Sequence, residues 1–145
     1  MPEQTTASTT ENVRLLAALM QSAKLAEARA HAALAAVGLS VPKFQALKNL
    51  VEAGGSLSLG QLADRQACVK SNVTQLVDRL AADGLVRRVP DPQDRRSIVA
   101  EITALGRRRY HAGQVAMTAM EDAFDGSFTA AEREQLARLL SRQIR

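Results

Sequence analysis

Two arginines stand side by side at positions 95 and 96, directly behind Asp94, in a stretch punctuated by Pro90, Asp91 and Pro92. Packing gives no reason for this arrangement, because adjacent guanidinium groups repel and an exposed ion pair contributes only about 0–1 kcal/mol. The narrow minor groove of DNA, with its enhanced negative potential, does reward it. Asp94 is placed to hold one guanidinium in a fixed fork and so pre-organise it. Arg87 and Arg88 are candidates for flanking phosphates. Further upstream, Lys70, Ser71, Asn72, Thr74, Gln75 and Arg79 gather in one short segment. Asn and Gln can bridge an adenine edge, Ser and Thr reach phosphates or bases, and Lys pairs with guanine or phosphate. Arg79 lies further along and suits the phosphate backbone.

Each group needs an element to carry it. Val73, Leu76, Val77 and Leu80 repeat at i, i+3, i+4 and i+7, which predicts an amphipathic helix from about Val69 to Asp83, ended by Gly84. With that stripe inward, Ser71, Gln75, Asp78 and Ala82 point away, Asn72 and Arg79 lie on one flank and Thr74 on the other. A helix from Ser58, opened by the capping box S-x-x-Q with Gln61, precedes it across a turn near Ala67 and Cys68. LVRRV (85–89) and SIVAEI (97–102) read as the two strands of a hairpin that displays the arginine pair at its loop. A helix whose N-terminal half is polar, followed by a basic hairpin, suits the major and minor grooves of one duplex.

The flanks are helical. A long Ala- and Leu-rich pattern covers residues 11–37 and ends at Gly38, and Ser40 with Pro42 opens a second helix through Phe44, Leu47, Leu50 and Val51. Thr103 caps a long fifth helix to about Phe124, and Thr129-x-x-Glu132 is a capping box for a last helix expected to bury Leu136, Leu139, Leu140 and Ile144. A 27-residue first helix would be roughly 40 Å long at 1.5 Å per residue and needs apolar partners along its whole length. We therefore expect a homodimer intertwined through both ends of the chain.

Net charge sets the class of partner. The chain of 145 residues carries +4, and residues 85–109 hold seven arginines against Asp91, Asp94 and Glu101, so that one stretch accounts for the whole excess. A localised basic stripe is a footprint for phosphate, whereas scattered charge would only solvate a surface. The length allows one domain with a real core. A single cysteine, Cys68, leaves no internal disulfide framework and fits a cytoplasmic protein. Residues 1–10 are polar and Thr-rich, read as a disordered lead-in, and the N-terminus lacks the pattern of a signal peptide. No apolar run approaches a membrane span.

GLSVPKFQALKNL (38–50), LGQLADR (59–65), SNVTQLVDRLAADGLVRR (71–88), DPQDRRSIVAEITALGR (91–107) and FTAAEREQLARLL (128–140) together resemble the MarR family of winged helix-turn-helix transcriptional regulators. The wing signature D-x-R followed by L-T-x-x-G is the most specific part, present here as Asp94-Arg95-Arg96 and, with Ile102 for the leucine, Ile102-Thr103-Ala104-Leu105-Gly106. Val69, Gln66 and Ala67 depart from the usual residues in and after the turn. The resemblance implies a mainly α fold with a small β-hairpin wing: a winged helix-turn-helix lobe at about 40–103 and dimerisation helices at about 11–37 and 104–145 of a single domain. It implies that Arg96 enters the minor groove with Asp94 orienting it, that the fourth helix reads the major groove, and that a homodimer binds a palindromic operator, most simply as a repressor. Relief by a small aromatic or anionic effector would place a cleft near His31, Phe44, Arg107 and Tyr110.

Two other readings stay open. Cys68 precedes the recognition helix, where a lowered pKa and oxidation would disturb DNA reading, although its register suits a small packed turn residue better. A winged helix kept only for protein interactions is the other, and it would not require the arginine wing. No phosphate loop, nucleophile–base motif or catalytic Cys/His/Asp spacing is present, so we expect no enzyme, and the two histidines and one cysteine give no metal-ligand spacing and no cofactor.

Overall fold

The computed structural model describes residues 5–66 and 70–144. In chain order these form α1 (Thr5–Ala35), α2 (Val41–Glu52), β1 (Ser56–Ser58), α3 (Leu59–Gln66), α4 (Lys70–Ala82), β2 (Val86–Pro90), β3 (Ile98–Ile102), α5 (Ala104–Asp125) and α6 (Ala130–Ser141). The fold is mainly helical with one small antiparallel sheet of order β1-β3-β2. The turn at Ala67 and Cys68, and Val69 beside it, lie outside the described residues, as do residues 1–4.

Local signals set most of the boundaries. Ser40 caps α2 by accepting the Lys43 N–H at 3.4 Å, with Pro42 in the first turn. Ser58 and Gln61 close their capping box in both directions, at 3.0 and 3.1 Å. Thr129 and Glu132 do the same for α6. At the end of α4, Gly84 takes φ +73°, and the Leu85 N–H reaches back to the Leu80 carbonyl at 2.9 Å. This left-handed residue lets the chain leave the helix directly into β2.

α1 is longer than the sequence pattern suggested. It runs from Thr5 rather than from about residue 11. Extending an existing helix adds one hydrogen bond per residue without a new nucleus. The short strand β1 was not expected either. It pairs with β3 through Leu57↔Ala100, and both of those residues are buried.

The core belongs to the central lobe. Leu34, Leu47, Leu50, Leu62, Val73, Val77, Leu80 and Leu85 are fully buried, drawing on α1, α2, α3, α4 and the start of the wing. α5 joins it by close approach: a Cβ at Gly106 would run into the Leu85 carbonyl oxygen, and one at Gly113 would meet Phe44 and Leu39. Thr103 fixes this junction by donating its hydroxyl to the Gly84 carbonyl at 2.7 Å while accepting the Gly106 N–H at 3.0 Å. Arg109 donates to the Val37 carbonyl at 3.0 Å, placing a cation at the C-terminal end of α1.

The outer helices remain open in the single chain. Leu15, Leu16, Leu19, Met20 and Leu25 of α1 are exposed, and α6 buries nothing. The expected burial of Leu136, Leu139, Leu140 and Ile144 is therefore not met within one chain, where Leu139 and Ile144 are exposed and the other two are not fully covered. A groove of about 510 Å³ between α1 and α5, lined by Leu25, Ala26, Arg29, Met120 and Phe124 among others, lies in the same open region. Among the described residues no helix is long and apolar enough to cross a membrane.

Candidate nucleic-acid interface

α4 turns as its apolar repeat dictates. Val73, Val77 and Leu80 are fully buried, and Ser71, Asn72, Gln75, Asp78 and Arg79 reach the other side. Thr74 is half-buried on the flank, and Lys70 opens the helix. Asn72, Gln75 and Arg79 also border a recess of about 340 Å³ shared with Pro42 of α2 and Gln66 of α3. One face thus offers amide, hydroxyl and guanidinium groups over roughly two and a half helical turns at 3.6 residues per turn, which is chemistry suited to base edges and phosphates.

The hairpin carries the second group. β2 and β3 pair antiparallel from Val86↔Ile102 to Pro90↔Ile98. Two aspartates shape the loop between them. Asp91 accepts the Gln93 N–H at 2.9 Å, and Asp94 accepts the Arg96 N–H at 3.0 Å. The Asp94 carbonyl also accepts the Ser97 N–H at 2.9 Å, and the Asp91 N–H donates to the Ser97 carbonyl at 3.0 Å. Arg95 and Arg96 project from this braced loop, exposed and in no ion pair among the described residues.

Asp94 therefore orients the tip differently from the expected guanidinium fork. A carboxylate reaches the backbone N–H two residues on with almost no loss of side-chain freedom, whereas a fork would require the long arginine to fold back over the loop. The effect on the tip is similar, because the bond fixes the main chain from which Arg96 projects.

Arg87 and Arg88 each have a carboxylate partner within the chain. Arg87 is ion-paired with Glu101, directly opposite it on β3. Arg88 is ion-paired with Asp78 of α4 at 2.9 Å. Both guanidinium groups are thus already engaged within the chain. The cross-strand pair follows from register and the second from the way α4 lies against β2, and a linear sequence displays neither.

Of the four residues expected around an effector cleft, the fold brings Phe44 and Tyr110 into direct contact. Phe44 and Tyr110 stack with ring centroids 5.5 Å apart and planes at 26°. The Arg107 guanidinium lies over Gly55, where a Cβ would come within 2.6 Å of it. His31 is exposed on α1. The groove between α1 and α5 includes none of the four.

Comparison with known proteins bears on the lobe that carries α4 and the wing. The sequence profile of the MarR family matches residues 37–97, from the end of α1 through the wing tip. Over those residues the chain is similar to the MarR family. It is 41% identical to the HTH-type transcriptional repressor YetL of Bacillus subtilis over 73 residues, half of this chain and 44% of that protein. It is 30% identical over 92 residues to the homoprotocatechuate degradative operon repressor of Escherichia coli, covering 61% of this chain and 60% of that protein. The matched region thus spans less than two thirds of either relative's length. The crystal structure of YusO from Bacillus subtilis superposes with a TM-score of 0.76 at 22% identity, covering 97% of this chain and 98% of that one. That likeness extends the MarR-type winged helix fold over α1, α5 and α6.

Proposed function

We propose that this chain is a homodimeric, sequence-specific DNA-binding regulator that acts as a transcriptional repressor in the cytoplasm, with no catalytic role. The observation that carries the proposal is the pairing of a polar α4 face with a braced wing whose Arg95 and Arg96 are in no ion pair among the described residues. In this reading Lys70, Ser71, Asn72, Thr74, Gln75 and Arg79 enter or flank the major groove, and Arg96 reaches the adjacent minor groove. The similarity to the MarR family and the two repressors among its relatives support it.

The dimer is supported by the exposed leucines of α1, the uncovered apolar positions of α6 and the groove between α1 and α5. Two copies related by a two-fold axis would present two copies of α4 to a palindromic site. Relief by a small aromatic or anionic effector belongs to the same proposal, supported by the relative that represses a homoprotocatechuate degradative operon. The Phe44–Tyr110 stack leaves that effector no ready-made site between those two rings.

Footprinting on the DNA upstream of the gene tests this reading. The expected pattern is protection of two inverted half-sites about one helical turn apart, roughly 10–10.5 base pairs centre to centre. Uniform protection without half-sites would overturn it.

A further inference from the structure

Asp78 poses a problem for a helix that reads DNA. It lies on the outward row of α4 with Ser71 and Gln75, and a free carboxylate there would face the phosphates and repel them. The structure gives it a partner from another element, Arg88 on β2, at 2.9 Å. The Arg88 side chain is 34% exposed and that of Asp78 is 59% exposed. The arginine thus lies along the lobe, with its charged end at the helix.

Arg87 is engaged as well, with Glu101 across the sheet. The wing's four arginines therefore divide into two classes. The pair at the base is bound to carboxylates of the same chain, and the pair at the tip has no such partner among the described residues. The engagement of Arg88 matters most, because it joins the two elements that must enter neighbouring grooves together.

We propose that Asp78 and Arg88 are positioning residues for DNA recognition: their ion pair ties the wing to the recognition helix and cancels a charge that would otherwise oppose the duplex. This rests on the DNA-binding reading and assigns Arg88 a role other than phosphate contact. Each neutralised phosphate contributes about 0.9 to the slope of log affinity against log salt. A phosphate-contacting arginine is therefore recognised by a fall of about one unit per bound protomer when it is replaced. A positioning arginine is not.

The test measures salt slopes on a random-sequence duplex of about three helical turns, roughly 30 base pairs, for the full chain and for Arg88→Gln, Asp78→Asn and the double variant. Thermal unfolding of each serves as a folding control. The expected result is weaker binding by Arg88→Gln with a slope that falls by well under one unit per protomer, since the loss comes mainly from a loosened wing. Asp78→Asn should release Arg88 to the phosphates, steepening the slope by about one unit per protomer and tightening random-duplex binding. The double variant should return to the parent's slope. A slope that falls by about one unit per protomer in Arg88→Gln, or an Asp78→Asn variant indistinguishable from the parent, would overturn the proposal while leaving DNA binding intact. A parent that shows no salt-dependent binding would remove the DNA-binding reading itself, and this proposal with it.

Discussion

The Asp94 carboxylate accepts the backbone N–H of Arg96 at 3.0 Å, so the wing tip is oriented through its main chain and not through a guanidinium fork. The distinction has a measurable consequence. Asparagine makes the same turn with its side-chain oxygen, whereas alanine cannot. Asp94→Asn should bind operator DNA within a few-fold of the parent, and Asp94→Ala should bind clearly less well. Equal losses in both, measured by fluorescence anisotropy, would restore the fork.

Arg96 is the exposed cation at the end of that braced loop. Arg96→Ala should weaken operator binding by about 1–3 kcal/mol at each half-site, roughly tenfold or more. The dimer should be unchanged by light scattering, because most of the exposed large apolar side chains lie on α1, α5 and α6, away from the wing tip. Unaltered affinity would take the wing out of the interface.

At Gly106 the N-terminal turn of α5 presses on the start of β2, and a Cβ there would collide with the Leu85 carbonyl oxygen. Backbone on both sides leaves little room to give. Gly106→Ala should destabilise the fold by about 1–3 kcal/mol, seen as a lower midpoint in urea with an unchanged m-value. A variant as stable as the parent would show that this junction has slack.

The exposed leucines of α1 predict their own loss of function. Replacing Leu16 and Leu19 together with glutamate should convert the dimer to monomer in sedimentation equilibrium, because two carboxylates cannot be buried unpaired at a helix interface. Dimers of undiminished affinity would place the interface elsewhere.

Glu132 is held below the usual carboxylate range, first by the backbone N–H of Thr129 and then by its hydroxyl. A depressed carboxylate contributes stability that is present above its unfolded pKa, about 4.3, and is lost as pH falls through the lower folded value. The cap of α6 should therefore hold throughout the neutral range and weaken only in acid. Following the Glu132 side-chain carboxyl by NMR should give a midpoint below that of an exposed glutamate, and a midpoint at or above it would deny the capping box.

Much of the fold is legible in the sequence because it is local. The caps at Ser40, Ser58, Thr103 and Thr129 each depend on residues within three positions, and the apolar repeat of Val73, Val77 and Leu80 fixes which side of α4 faces outward. Pairings between distant residues are not legible in this way. The strand Ser56–Ser58 is one only because β3 lies beside it, and the partner of Arg88 is set by how α4 lies against β2. Phe44 and Tyr110 stand out in the sequence as walls of a cleft, where the fold instead stacks them on each other. The apolar face of α6 reads as buried in sequence and stands open in one chain, as a face awaiting a second copy would.

The most direct test of the central claim is an anisotropy titration at physiological salt, comparing DNA from upstream of the gene with a random duplex of equal length. The expected result is a dissociation constant of about 10⁻⁸–10⁻¹¹ M for the upstream site against about 10⁻⁴–10⁻⁶ M for random sequence. Equal affinities in the weaker range, for upstream DNA and for any duplex selected from a randomised pool, would contradict it.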